Sequence, residues 1–433
     1  MSIEVSASYR KKITIPVCVI IGYLSIAVFM TGDGFEQAFL SHLIVEIGFT
    51  KTQASFVFTV YGLIAGLAGC CAGILAEIYG PKKIMLIGAI IWLIFHSLFL
   101  KYGVEEKSYS ALLAFYSIRA IGYPFFVYSF VVLISRVVPP NRLASAMGWF
   151  WTVFVFGLGT AGSYIPSMTI PAVGKVQTLW LAMIFIAAGA LIGYAALSRH
   201  PASGPGDSGA ATGKNKLKQL TRGVELALEN RALLCSAIMM TIAPIAIFGF
   251  AVIMPFFFID TLGFTASEWL RIWGTMLFVN MIMNTVTGII ADRVGWMRII
   301  RWQGCIGLSL TTLLFYYLPA YFGKDMTVAL IIAAFHGACL TGLIPISAVF
   351  STLAPDEKGA AISLHNLSMG LGTFVGPAIA TLLLSVGGTA AVVWVYAGLY
   401  LSAILLTKFI PIKHEEQASA HAASLPIGTI ERA

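Results

Sequence analysis

Charge is scarce in this sequence: Asp, Glu, Lys and Arg make up 11% of its 433 residues, against roughly 25% in an average soluble protein. Together with 58% hydrophobic residues and a mean hydropathy of +0.88, this excludes a soluble globule and a disordered chain. Cysteine is also sparse. Cys18, Cys70, Cys71, Cys235, Cys305 and Cys339 lie in apolar runs, with no paired spacing beyond the adjacent Cys70 and Cys71. They read as small packing residues, and a secreted disulfide scaffold is excluded. There is no P-loop, nucleophile triad or metal-ligand cluster, so the sequence offers no support for an enzyme, ATP-driven chemistry, a metal or any other cofactor. Gly157-x-Gly159-x-x-Gly162 fits a dinucleotide fingerprint literally but sits inside an apolar run with no preceding strand, where close helix packing accounts for it.

What the sequence does have is apolar segments of membrane length, about 20 residues each. Six lie near residues 14–41, 52–76, 83–101, 109–135, 143–165 and 177–198, and six more near 232–259, 268–291, 299–319, 327–351, 359–385 and 389–411. Between the sets, a stretch from Arg199 to Arg231 rich in Gly, Ser, Lys and Arg reads as a linker. The expected organisation is an all-α integral membrane protein. It has a six-helix half over 1–198, a cytoplasmic linker over 199–231, a second half over 232–411 and a cytoplasmic tail over 412–433. The first segment carries no small-residue cleavage site and is expected to be retained as a span.

The net charge of +8 could suggest nucleic acid, but the distribution of the charges argues otherwise. With the N-terminus inside, 20 of the 27 Lys and Arg residues fall on the cytoplasmic side and six outside, and Arg119 alone lies within a segment. This is the positive-inside pattern, with both termini cytoplasmic and no nucleic-acid partner.

The chain also repeats itself. Gly48-Phe49-Thr50 recurs as Gly263-Phe264-Thr265, the run from Gly73 to Gly80 recurs from Gly288 to Gly295, and Pro140 recurs as Pro355, each at an offset of 215. Two parallel six-span halves are the layout of a transporter whose halves rock about a central site.

Gly73-x-Leu75-x-Glu77-x-x-Gly80-x-Lys82-Lys83 and its copy Gly288-x-x-x-Asp292-Arg293-x-Gly295-x-x-Arg298 resemble the cytoplasmic signature of the major facilitator superfamily. Within it, the run from Phe29 to His42 with Asp33 and Glu36, together with Gly148-Trp-Phe-Trp151, Gly162-Ser-Tyr-Ile-Pro166, Ser267-Glu-Trp-Leu270 and Gly295-Trp-Met297, is similar to the bacterial polyol permeases, proton symporters of ribitol and D-arabinitol. The fifth segment lacks the Gly-Pro pair of drug/proton antiporters, which argues against efflux. The resemblance implies a twelve-helix fold in the bacterial inner membrane and a monomer. Its partners would be a proton, the lipid bilayer and a small polyol or sugar. Glu77, Lys82, Lys83, Asp292, Arg293 and Arg298 would act as a cytoplasmic latch.

Of 19 acidic residues, only Asp33 and Glu36 lie well inside a segment. Charge at such depth costs several kcal/mol unless it is paired or hydrated. Three apart, the two share a helix face, and Arg119 lies at a similar depth, roughly 12 to 15 Å from the outer end at 1.5 Å per residue. Two readings stand: a proton site in which two acids compete for one base, or a permanent ion pair that orders two helices. Sugar-transporting members similarly set an acid of the first span against an arginine of the fourth, which favours Asp33 opposite Arg119; which acid carries the proton stays open. His96, in a span the resemblance makes peripheral, reads as structural.

Candidate substrate ligands are Gln37, Tyr123, Trp151, Asn280, Asn284, His336, His365 and Asn366, hydroxyl-matching polar groups with aromatic faces for sugar C–H bonds. His336 also fits a packed core histidine, and the amides also fit interhelical glue. The function expected is proton-coupled uptake of a polyol or related sugar. The alternatives are a carrier of another metabolite such as a sugar acid, with Arg119 binding substrate, or a sensor or membrane scaffold of the same fold.

Overall fold

The computed structural model describes residues 16–198 and 221–410. The termini, and linker residues 199–220, lie outside the described residues. Within them, eleven helices are long and apolar enough to cross a membrane. In chain order these are α1 (Val17–Gly34), α2 (Lys51–Tyr79), α3 (Pro81–Glu105), α4 (Tyr109–Val137), α5 (Ser145–Val173), α6 (Lys175–Ser198), α7 (Arg231–Thr261), α8 (Ala266–Val294), α9 (Trp296–Phe322), α10 (Met326–Phe350) and one run of Ala360–Thr407. That last run is two helices, because Gly388 leaves helical geometry with φ 63° and ψ −163°. Dividing it there into α11 (360–387) and α12 (389–407) gives twelve spans.

The helix boundaries follow from local chemistry. Gly48 and Gly263 take positive φ, then Thr50 and Thr265 close capping boxes with Gln53 and Glu268 at the starts of α2 and α8. Each box satisfies two backbone donors that a helix start leaves orphaned. Gly80 and Gly295, again with positive φ, end the same two helices. The offset of 215 is therefore the spacing of a repeated turn and cap as well as of letters.

Successive spans run in opposite directions, which defines a linker face, where α6 ends and α7 begins, and a far face opposite. Four spans are interrupted. Turns at residues 35–39 separate α1 from a short continuation (Leu40–Glu46), and α4, α7 and α10 break at 120–121, 243–244 and 341–345. The spacing of three spans between breaks points to a three-helix unit, and discontinuous helices in transporters gather around the transported species. Pro124, Pro244 and Pro345 lie at or just after three of the breaks, where a missing N–H weakens the ladder.

Candidate functional site

A cavity of about 480 Å³ lies between α1, α2, α4 and α5 on one side and α7 and α11 on the other. Its floor is formed by Asp33, Glu36 and Gln37, and its walls reach Gly73, Val132 and Ile362 near the linker-face ends of α2, α4 and α11. The cavity therefore opens toward the linker face. On the far face the spans close over it: Ser41 Oγ donates to Ala251 O (3.3 Å), Ser55 Oγ to Pro377 O (3.1 Å), and Thr59 meets Thr381 (2.9 Å). His42 Nε2 contacts Asp260 at 2.8 Å, and Lys51 lies 3.5 Å from the other oxygen of the same carboxylate. Beneath this closure α2 and α11 touch backbone to backbone, with Gly62 against Thr373 and Gly66 against Gly370.

The two acids have different partners. Arg119, fully buried, clamps Glu36 with both terminal nitrogens, Nη1 reaching Oε2 at 2.8 Å and Nη2 bonding Oε1. Asp33 accepts instead from Trp92 Nε1 at 2.6 Å. The resemblance favoured Asp33 opposite the arginine; the structure sets Glu36 there. In an unbroken helix residues 33 and 36 share a face, but the helix ends at Gly34 and Glu36 sits within the turn that follows. The break frees its side chain to point elsewhere. The guanidinium is further enclosed by the rings of Tyr116, Trp92 and Tyr61, 4.6, 4.8 and 5.6 Å from its carbon, a cation–π setting in a water-poor place.

Glycines allow this crowding. A Cβ on Gly34 would fall 2.1 Å from Leu158 O, and one on Gly157 would fall 2.5 Å from Ala27 O, so α1 and α5 meet through bare backbone. The Gly157, Gly159 and Gly162 run is a packing surface.

Of the proposed substrate ligands, Gln37, Tyr123, Trp151 and Asn366 line the cavity. Gln37 Oε1 is buried with no hydrogen-bond partner. Asn280, Asn284, His336 and His365 are not among its lining residues. Asn280 Nδ2 donates to Gly337 O (3.2 Å) and ties α8 to α10, the glue reading for an interhelical amide. His336 stacks 5.3 Å from Phe250 and contacts Thr311 Oγ1 at 3.2 Å, so it is packed in the core. His365 bridges Ser347 and Asn366. At the linker face, Asp292 accepts from Trp296 Nε1 (2.9 Å), Glu77 O accepts from Arg136, and Lys82 lies over the ring of Tyr194. Arg293 and Arg298 are exposed and Lys83 is solvent-facing.

Sequence reasoning missed Tyr61 and Trp92 and treated His96 as remote. His96 Nδ1 lies 2.9 Å from Arg119 Nη1. An aromatic or a lone histidine in an apolar run carries no signal that separates it from packing.

Twelve apolar helices, breaks at every third span and a central cavity holding buried carboxylates define a multi-pass membrane transport protein. The sequence matches the Major Facilitator Superfamily over residues 22–341 and 304–430, and the chain belongs to that family. It is 47% identical to a ribitol transporter of Klebsiella pneumoniae over 94% of this chain and 95% of the relative. It is 45% identical to a D-arabinitol transporter of the same organism (94% and 96%), and 36% identical to an alpha-ketoglutarate permease of Bacillus subtilis (96% and 94%). The chain is a transporter of this family, not an enzyme.

Proposed function

We propose that the protein imports a neutral polyol, such as ribitol or D-arabinitol, or a related sugar, together with protons by alternating access. It works as a monomer in the bacterial inner membrane, with the linker face and both termini in the cytoplasm. The first and last six helices are the moving bodies, and the charged linker-face turns latch them when the cavity opens outward.

The observation that carries the choice of substrate is the charge of the cavity. Among the described residues its lining holds two carboxylates and no Lys, Arg or His. Arg119, the one buried cation among the described residues, is already taken by Glu36. An anionic substrate would meet negative charge without a counter-ion, at a cost of several kcal/mol in low dielectric. A polyol brings only hydroxyls, which suit Gln37, Asn366 and Tyr123. The names of two relatives agree with this reading. The similarity to a ketoglutarate permease supports a second reading, an organic-acid carrier, which requires Arg119 to release Glu36. Asp33, held by a neutral donor, is the group free to exchange a proton.

Purified protein in liposomes, given ribitol, D-arabinitol or 2-oxoglutarate under an imposed pH gradient, decides between these readings. The expected result is accumulation of a polyol with alkalinisation of the outer medium and no effect of the acid. Accumulation of 2-oxoglutarate alone would overturn the polyol reading, and binding without any accumulation would mark a sensor.

A further inference from the structure

We propose that His96 is a positioning residue of the proton site: from α3 it holds the Arg119 guanidinium on Glu36 and so leaves Asp33 free to exchange its proton. This rests on the proton-coupled reading above.

His96 is fully buried, and both ring nitrogens are engaged. Nε2 lies 3.0 Å from Leu179 O, and Nδ1 lies 2.9 Å from Arg119 Nη1. A carbonyl oxygen only accepts, and a guanidinium only donates. One arrangement satisfies both: a neutral imidazole with its proton on Nε2 and its lone pair on Nδ1 aimed at the arginine. A charged imidazolium would turn an N–H toward a cation.

The hydrogen bonds form one line across four helices. Leu179 O on α6 orients His96 on α3, His96 accepts from Arg119 on α4, and Arg119 grips Glu36 beside α1. Nη1 is thus shared between a Glu36 carboxylate oxygen and the His96 Nδ1 lone pair, two acceptors 4.0 Å apart that together hold this end of the fork. One turn earlier on the same helix, Trp92 donates to Asp33 and stacks on the His96 ring at 4.2 Å. A single turn of α3 therefore sorts the two acids, giving Glu36 the cation and Asp33 a neutral N–H. Without the acceptor at position 96, the guanidinium keeps only its carboxylate bonds and is free to rotate toward Asp33, the other acid in its reach. A second ion pair there would hold Asp33 in one state through the cycle.

The test uses the full chain in liposomes and compares accumulation driven by a pH gradient with exchange of ribitol at equal concentrations. His96→Phe keeps a ring against Trp92 but removes the acceptor, and His96→Asn restores an acceptor oxygen near the Nδ1 position. Accumulation by His96→Phe should fall about tenfold or more while exchange falls no more than about threefold, and His96→Asn should recover at least about half of the lost accumulation. Should the phenylalanine variant fail to fold, His96→Leu takes its place in the same comparison. Equal losses in both assays, unchanged coupling, or an asparagine no better than the apolar variant would overturn the proposal. A wild-type protein that exchanges ribitol but never accumulates it would overturn the proton-coupled reading itself, and this shows before any variant is compared.

Discussion

At the scale of single residues, the site depends on unequal partners for two similar acids. Asp33→Asn should abolish accumulation driven by a pH gradient yet preserve exchange, because the amide resembles the protonated acid and still allows loaded reorientation. Arg119→Ala should be harsher: it leaves the buried Glu36 without its cation, and breaking a buried pair by removing one partner costs about 3–5 kcal/mol. Thermal denaturation of the purified variants checks the second expectation, and retention of wild-type stability would show that Glu36 is satisfied in another way. That Asp33, Glu36 and Arg119 belong together was legible in the sequence, since ionisable residues deep in apolar segments are few. Which acid meets the arginine was not, because the answer depends on a turn after Gly34 that redirects Glu36. His96 was illegible for a different reason. Its role is set by what α4 and α6 bring to its two nitrogens.

Helices set the next scale. The spans and the repeat at an offset of 215 could be read directly, because an apolar run of membrane length has few other meanings, whereas the glycine turns and threonine caps that the repeat encodes show only in the backbone geometry. The breaks in α1, α4, α7 and α10 could not be read from hydropathy, which a short turn barely disturbs; Pro124, Pro244 and Pro345 were the available signals. The α2–α11 seam gives a prediction at this scale. A Cβ on Gly62 would lie 2.5 Å from Thr373 O, so Gly62→Val must push the far-face closure apart, at roughly 1–3 kcal/mol of overpacking. Labelling of cavity positions from the far face should rise and uptake should fall.

A second expectation concerns the helix at residues 221–229 that leads into α7. Arg222 there grips Glu357 just before α11 with two bonds of 2.8 and 2.9 Å, and the guanidinium holds the Glu357 carboxyl below its ordinary value of 4.5. A depressed carboxylate adds stability above its unfolded pKa and loses it as pH falls through the folded one. Hydrogen exchange in 221–229 should therefore stay slow at neutral and mildly acidic pH and rise only below about 4.5. Release near neutrality would show that the clamp is held by something else.

For the whole molecule, the alternating access proposed above would make the exposure of one wall a measure of conformation. Cys70 lines the cavity, while its neighbour Cys71 faces outward. A maleimide supplied from the linker face should modify Cys70 readily in this state and more slowly when Gly62→Val, or turnover with ribitol, shifts the population toward the far-face-open form. Cys70→Ser identifies the labelled thiol, and labelling that ignores both treatments would argue against rocking halves.

The pairing of Glu36 with Arg119 also determines what the site carries through the membrane's electric field. With those two charges cancelling, the proposed cycle has a loaded site, holding a neutral polyol and a protonated Asp33, with no net charge, and an empty site, with Asp33 ionised, with one negative charge. An interior-negative voltage then drives the empty carrier outward, contributing up to about 2.3 kcal/mol per 100 mV if the charge crosses the full field. Voltage sensitivity should therefore reside in the empty return. Under a potassium diffusion potential set with valinomycin, net uptake should quicken as the interior becomes more negative. Exchange, which never passes through the empty form, should proceed at the same rate at every voltage.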